Sequence, residues 1–237
     1  MNKSAISWTE RSWNPISGCT QISPGCDNCY AKRITENFGR DFSKVILKPH
    51  KLKEPYGLKE PSMVFVPSMS DLFHREVPDS FILQVFKTMA ENPQHTFQDL
   101  TKRPQRMLNF QQRYFPDGFP RNVWVGTSVE SHQLIGRINI LRQVKASVRF
   151  ISAEPLLASL FPVDLRGIDW VITGGESDYH KPRPAKSEWF RETRDECKRL
   201  GIPYFHKQNG GSKKCVCHNI WGCELLDGQT YHEYPEQ

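Results

Sequence analysis

The sequence has no apolar run near the roughly 20 residues that a membrane-spanning helix needs. It has no dense basic tract interleaved with aromatics, no internal repeat and no low-complexity or linker stretch. Its first fourteen residues hold no apolar core followed by a small-residue cleavage site. These absences speak against a membrane protein, a tract-type nucleic-acid binder and a secreted domain framed by disulfides. The expected setting is cytoplasmic, with no membrane partner and no obligatory nucleic acid.

What is present suits a folded enzyme-sized domain. The 237 residues are 38% hydrophobic and 24% charged, enough to bury a sizeable core. The formal charge of +6 is spread out, with Lys44, Lys48, Lys51, Lys53 and Lys59 interleaved with Asp41, Glu54 and Glu60, as on a solvated surface. Seven cysteines, an odd number in a reducing setting, read as metal ligands or free thiols.

Short apolar runs alternate with amphipathic segments, the pattern of strand-helix units around a parallel sheet. Strands are expected at 62–67, 96–100, 122–127, 148–152, 168–173 and 203–206, with weaker ones before Cys19 and at 42–47. Residues 78–92 place Phe81, Ile82, Val85, Phe86 and Met89 on one helical stripe, and 132–144 do the same with Ile135, Ile138 and Leu141. A third helix is expected at 187–200, capped by Ser187 and stopped by Gly201. The expected fold is α/β: one domain over 1–237, a TIM-type (β/α) barrel of six to eight strands, closed or incomplete. Residues 209–237 form a cysteine-containing C-terminal extension.

Such a barrel carries its site at the C-terminal strand ends. Polar residues do gather there: Ser68, Ser70 and Asp71; Thr101, Lys102 and Arg103; Thr127, Ser128 and Glu130; Glu154; Gly174, Gly175, Glu176 and Ser177; Lys207 and Gln208.

Cys19, Cys26 and Cys29 form a Cys-x6-Cys-x2-Cys cluster, and the Ser23-Pro24-Gly25 turn lets Cys19 fold back toward the other two. Three ligands leave one position open, which fits a zinc ion with an exchangeable site or a four-iron four-sulfur cluster with one free iron. Packing alone does not explain so many close thiols. Tyr30 follows the last cysteine, and 31–38 can continue as a helix.

The cysteine cluster followed by Tyr30 resembles the radical S-adenosylmethionine enzymes, although their commonest first gap is three residues. W-T-x3-W-N-P-I-S-G-C at 8–19, S-M-S-D-L-F-H at 68–74, L-T-K-R-P at 100–104 and V-W-V-G-T-S-V-E at 123–130 extend the likeness. So do S-A-E-P-L at 152–156, D-W-V-I-T-G-G-E-S at 169–177 and H-K-Q at 206–208. Together they resemble the phage-type three-cysteine family of small radical S-adenosylmethionine proteins, which includes the queuine lyases. The resemblance implies a 4Fe-4S cluster on Cys19, Cys26 and Cys29, S-adenosylmethionine as cofactor, and an electron donor such as flavodoxin or ferredoxin. It also implies cleavage of queuine to 7-aminomethyl-7-deazaguanine.

On that resemblance, Tyr30 edges the adenine, Lys102 or Arg103 pairs with the methionine carboxylate, and Ser70, Asp71, Thr127 and Ser128 hold the ribose. Glu154 is the partner of the amino group. A guanine-like base edge calls for a carboxylate facing its donors, which points to Glu176 beside Gly174 and Gly175, or to Asp178. Asn14, His206, Lys207 and Gln208 are candidates for the cyclopentenediol end.

Cys215, Cys217, His218 and Cys223 are four metal-ligand types within nine residues, a possible accessory site, although adjacent Cys217 and His218 are poorly placed for one ion. Cys197 is expected to pack in a helix. Two other functions fit the same features: a radical S-adenosylmethionine enzyme acting on DNA, by photoproduct repair or phage base modification, and a zinc module binding nucleic acid.

Overall fold

The computed structural model describes residues 1–177, 181–213 and 222–236. The strands run in chain order as β1 (Asn2–Lys3), β2 (Arg11–Ser12), β3 (Ile16–Ser17), β4 (Ile46–Leu47) and β5 (Met63–Val66). They continue as β6 (Thr96–Thr101), β7 (Val123–Ser128), β8 (Arg149–Ala153), β9 (Trp170–Gly174) and β10 (Tyr204–Gln208). The helices are α1 (Tyr30–Asn37), α2 (Asp79–Ala90), α3 (Pro104–Tyr114), α4 (Gly136–Leu141) and α5 (Ser187–Leu200).

One sheet has the order β1-β2-β5-β6-β7-β8-β9-β10. β1 meets β2 antiparallel, and every later neighbouring pair is parallel. Seven parallel strands thus follow one another round a curled sheet, and among the described residues β2 and β10 do not pair. The expected TIM-type barrel is present in its incomplete form. β3 and β4 form a separate antiparallel pair in the long connection from β2 to β5.

Alternation along the strands builds two cores. Val123 and Val125 of β7 face the helices, where Phe86, Phe97, Phe110 and Phe119 pack. Trp124 faces the lumen with Trp8, Phe65, Phe150, Trp170 and Phe205. Burying each such ring contributes roughly 1.5–3 kcal/mol. A Cβ on Gly126 would stand 2.5 Å from the Phe150 ring, so the glycine makes room for this inner aromatic layer.

The helices depart from expectation in three places. Helix α3 was not anticipated; Pro104 opens it, since the first turn does not use that N–H, and Met107, Leu108 and Phe110 are buried. The 132–144 segment is a 3₁₀ turn (His132–Leu134) followed by the shorter α4. Ser187 is the first residue of α5 rather than its cap; Lys186 takes the cap position, and Gly201 closes the helix at φ 69. No helix joins β8 to β9. The short strands β1 and β2 were also not anticipated.

The described part of 209–237 lies along β9 and β10. Trp170 Nε1 donates to the Glu233 carbonyl at 2.9 Å, and Leu226 and Tyr231 are buried. Asp178, Cys215, Cys217 and His218 lie outside the described residues. Among the described residues, no helix is long and apolar enough to cross a membrane.

Candidate functional site

A cavity of about 530 Å³ opens at the C-terminal ends of the parallel strands. Trp8, Phe65 and Leu100 form apolar wall; Ser128, Ser152, Glu154, Lys207 and Gln208 bring polar groups from β7, β8 and β10. Cys19, Cys26 and Cys29 line the same cavity on the loop between β3 and α1, with Cys29 immediately before the helix. Among the described residues, no three His, Cys, Asp or Glu side chains are gathered tightly enough to hold one metal ion. The three thiols share one cavity.

Two buried carboxylates grip the cysteine loop. Glu130, 1% exposed, accepts from Ser23 Oγ at 2.8 Å and pairs with Lys102 Nζ and, at 3.0 Å, with Arg137 Nη1. Burial alone would raise its pKa; Lys102, Arg137 and the Ser23 hydroxyl outweigh burial and hold it below the usual range. Gly25 packs directly on this carboxylate, where a Cβ would meet Glu130 Oε1 at 2.4 Å.

On the other side, Glu176 Oε2 accepts from Asn28 Nδ2 at 2.7 Å and from Arg183 Nε at 3.0 Å. Arg183 Nη1 also donates to Asp27 Oδ2 and to the Pro24 carbonyl. Burial pushes the Glu176 pKa up, and the bonds from Arg183 and Asn28 bring it below the ordinary value. Glu176 lines the cavity, but its carboxylate is already engaged by the loop. Asn28 and Arg183 were not singled out from sequence, and Glu130 was placed only on the rim; pairings this distant in the chain leave no local periodic signal.

The third anchor is Asp71. Its Oδ1 accepts from Thr101 Oγ1 and the Phe73 N–H, and its Oδ2 from the Lys102 N–H and Arg103 Nη1. Arg103 also donates to the Thr20 carbonyl at 2.9 Å and reaches Cys19 Sγ at 3.6 Å. Burial and Asp71 push the Cys19 thiol pKa up to about 11 against the pull of Arg103. Ser70 Oγ donates to the Gly18 carbonyl. Asp71, Ser70, Lys102 and Arg103 thus line the cavity with their polar atoms committed to protein partners, rather than presented to a ribose or a carboxylate.

Glu154 occupies the lumen wall. Trp8 Nε1 and Ser152 Oγ donate to its Oε2 at 3.1 Å, and Lys207 Nζ stands 2.9 Å from Oε1. Gly174 accommodates it, since a Cβ there would meet Glu154 Oε1 at 2.8 Å. Tyr30 is 44% exposed at the rim, with its hydroxyl donating to the Ser68 carbonyl at 2.6 Å. Gln208 Nε2 donates to Ser177 Oγ.

Four expected residues lie outside the cavity lining: Asn14, Thr127, Gly174 and His206. Thr127 Oγ1 donates to the Thr101 carbonyl, and Asn14 ties down the Ser68–Met69 turn. His206 is wholly buried between Thr173 and Asn209, and burial brings its pKa down to about 4. Strand parity explains two of these placements: Ser128 and Lys207 face the lumen, so the adjacent Thr127 and His206 face away.

Residues 3–235 match the family DUF5131, described as a protein of unknown function. The chain belongs to this family. No curated protein matches the chain. Among solved structures, spore photoproduct lyase complexed with dinucleoside spore photoproduct is similar at 12% identity and a TM-score of 0.49. The match covers 84% of this chain and 63% of that one. A mutant of the same enzyme with bound AdoMet and the dinucleoside spore photoproduct is similar at 11% identity and a TM-score of 0.49, with the same shares covered. This member of the DUF5131 family therefore spans less than two thirds of the length of those structures.

Proposed function

We propose that this chain is a radical S-adenosylmethionine enzyme, with a 4Fe-4S cluster on Cys19, Cys26 and Cys29. The observation that carries this is the placement of three thiols from one loop, at the entrance to the first helix, in a cavity at the C-terminal strand ends. The donor set fits the group: soft thiolates suit iron–sulfur clusters. When bound, the cluster and S-adenosylmethionine supply a 5′-deoxyadenosyl radical once a flavodoxin- or ferredoxin-type donor has delivered an electron.

The chain's own part is to hold and shield. Trp8, Phe65 and Leu100 keep water from the inner cavity. Glu154, held by Trp8 and Ser152 on one oxygen and by Lys207 on the other, offers the amino group of the cofactor a carboxylate in the lumen wall, where that amino group takes the place of Lys207. Tyr30, tethered through Ser68, stands where an adenine edge meets the rim. Glu130 and Glu176 fix the cysteine loop from both flanks.

The substrate proposed is queuine, with 7-aminomethyl-7-deazaguanine as the product released. The motifs shared with the phage-type three-cysteine family support it, as does a cavity sized for a small molecule beside the cofactor. Lys207, paired with Glu154, and Gln208, bonded to Ser177, line the cavity on the substrate side, and the substrate takes over those bonds when it seats. Glu176 serves the cysteine loop, because its carboxylate is occupied.

The test is anaerobic reconstitution with iron and sulfide, then incubation with S-adenosylmethionine, dithionite and queuine. Expected are about four irons per chain, 5′-deoxyadenosine and 7-aminomethyl-7-deazaguanine. Stoichiometric zinc without iron rejects the class. 5′-Deoxyadenosine without the base product keeps the class and rejects the substrate, and a product formed from a DNA oligonucleotide instead assigns the chain to nucleic acid.

A further inference from the structure

We infer that Arg103 sets the reduction potential of the metal centre, by donating a charged hydrogen bond to Cys19 Sγ, and that Asp71 behind it opposes that effect. The inference rests on the cluster reading of the three cysteines.

Arg103 Nη1 stands 3.6 Å from Cys19 Sγ and 2.8 Å from Asp71 Oδ2. Its Nη2 donates to the Thr20 carbonyl at 2.9 Å and reaches Thr20 Oγ1 at 3.3 Å. The guanidinium is mostly buried and held on both nitrogens, so it does not swing away when the sulfur changes charge. Among the described residues, Cys26 Sγ has a neutral neighbour, Ser23 Oγ at 3.8 Å, and Cys19 is the loop cysteine whose sulfur meets a charged donor. Thr101 Oγ1 and two backbone N–H groups hold Asp71 in place.

Hydrogen bonds and net charge around ligand sulfurs set the potentials of iron–sulfur centres. Reduction adds one electron and lowers the charge of the centre by one, and no bond to Arg103 forms or breaks. A fixed cation donating to a ligand sulfur stabilises the more negative state and makes reduction easier. A fixed carboxylate behind it does the reverse. The low dielectric of this mostly buried corner strengthens both effects. One residue pair therefore makes two predictions of opposite sign.

The experiment is an EPR-monitored dithionite titration of anaerobically reconstituted wild type, Arg103→Gln and Asp71→Asn, with iron and sulfide counted in each. Arg103→Gln is expected to retain iron and to make reduction about tenfold less favourable, a midpoint about 59 mV lower for one electron. Asp71→Asn is expected to move the midpoint upward. Iron-loaded Arg103→Gln with the wild-type midpoint overturns the inference, as does any shift of the same sign in both variants. Should Arg103→Gln fail to load iron, Asp71→Asn decides alone, and an unchanged midpoint there overturns it. A wild type that binds no cluster overturns the reading beneath it, and iron analysis tells that failure apart from the others.

Discussion

Ser23 Oγ donates to Glu130 Oε1 at 2.8 Å, which ties the turn before Cys26 to the chain just past β7. Gly25 sits against the same carboxylate, and Lys102 and Arg137 keep that carboxylate from stepping aside. Gly25→Ala is expected to cost about 1–3 kcal/mol through overpacking and to lower iron retention after reconstitution. Denaturant unfolding with iron analysis checks it, and a variant as stable and as iron-rich as wild type refutes it.

Arg183 bridges Glu176 and Asp27 while remaining about one-third exposed. Its partner Glu176 is buried, and taking two side-chain donors from a buried carboxylate costs about 1–3 kcal/mol, so Arg183→Ala is expected to lower the melting temperature by a few degrees. The loop it braces is expected to surrender iron to a chelator several-fold faster. Equal loss rates in variant and wild type would remove Arg183 from the site.

The cysteines divide by location. Cys19→Ala, Cys26→Ala and Cys29→Ala are each expected to abolish stoichiometric iron binding. Cys197→Ala, at a buried position in α5 and away from the cavity, is expected to keep it. Iron and sulfide content after identical reconstitution decides; full iron in any one of the three loop variants counts against that ligand.

His206 stays neutral in the folded state because burial lowers its pKa from 6.5 to about 4. The unfolded chain takes up this proton below pH 6.5 and the folded chain does not, so stability falls as the pH drops from 6.5 to about 4. The loss is roughly 1.4 kcal/mol per pH unit. His206→Gln is expected to flatten this acid limb, measured as unfolding free energy at pH 7 and 4.5. A limb of unchanged slope would place the proton elsewhere.

Asp99 shows the opposite dependence. It is wholly buried, neither carboxylate oxygen has a hydrogen-bond partner among the described residues, and burial together with nearby Asp71 raises its pKa well above 3.8. The unfolded chain gives up this proton first, so stability declines as pH rises from about 4 toward the raised value, by roughly 1.4 kcal/mol per unit. Asp99→Asn is expected to remove that decline and to be no less stable than wild type at pH 8. A steep loss at pH 8 in the variant would show that the carboxyl has a partner.

Much of the scaffold is legible in the amino-acid pattern because parallel strands covered on both faces read as apolar runs. β5 to β10 fall within about two residues of expectation, as does α2. Helix α3 carries an equally clear stripe in Met107, Leu108 and Phe110, but Pro104 reads as a break when it is in fact a start. β1 and β2, two residues each, are too short to leave a period. The cysteine loop is evident from spacing alone. The side chains around it are harder, for two separate reasons. Thr127 and His206 point away from the cavity by strand parity, which the inward Trp124 and Phe205 already imply. The Asn28–Glu176 and Ser23–Glu130 bonds span more than 100 residues, and no local pattern encodes them.

The layer of Trp8, Trp124, Phe150, Trp170 and Phe205 fills the lumen beneath the cavity. This makes the site a cup rather than a tunnel. A molecule that reaches the floor of this cup meets aromatic ring and an indole N–H already given to Glu154, rather than a second opening to solvent at the other end of the strands.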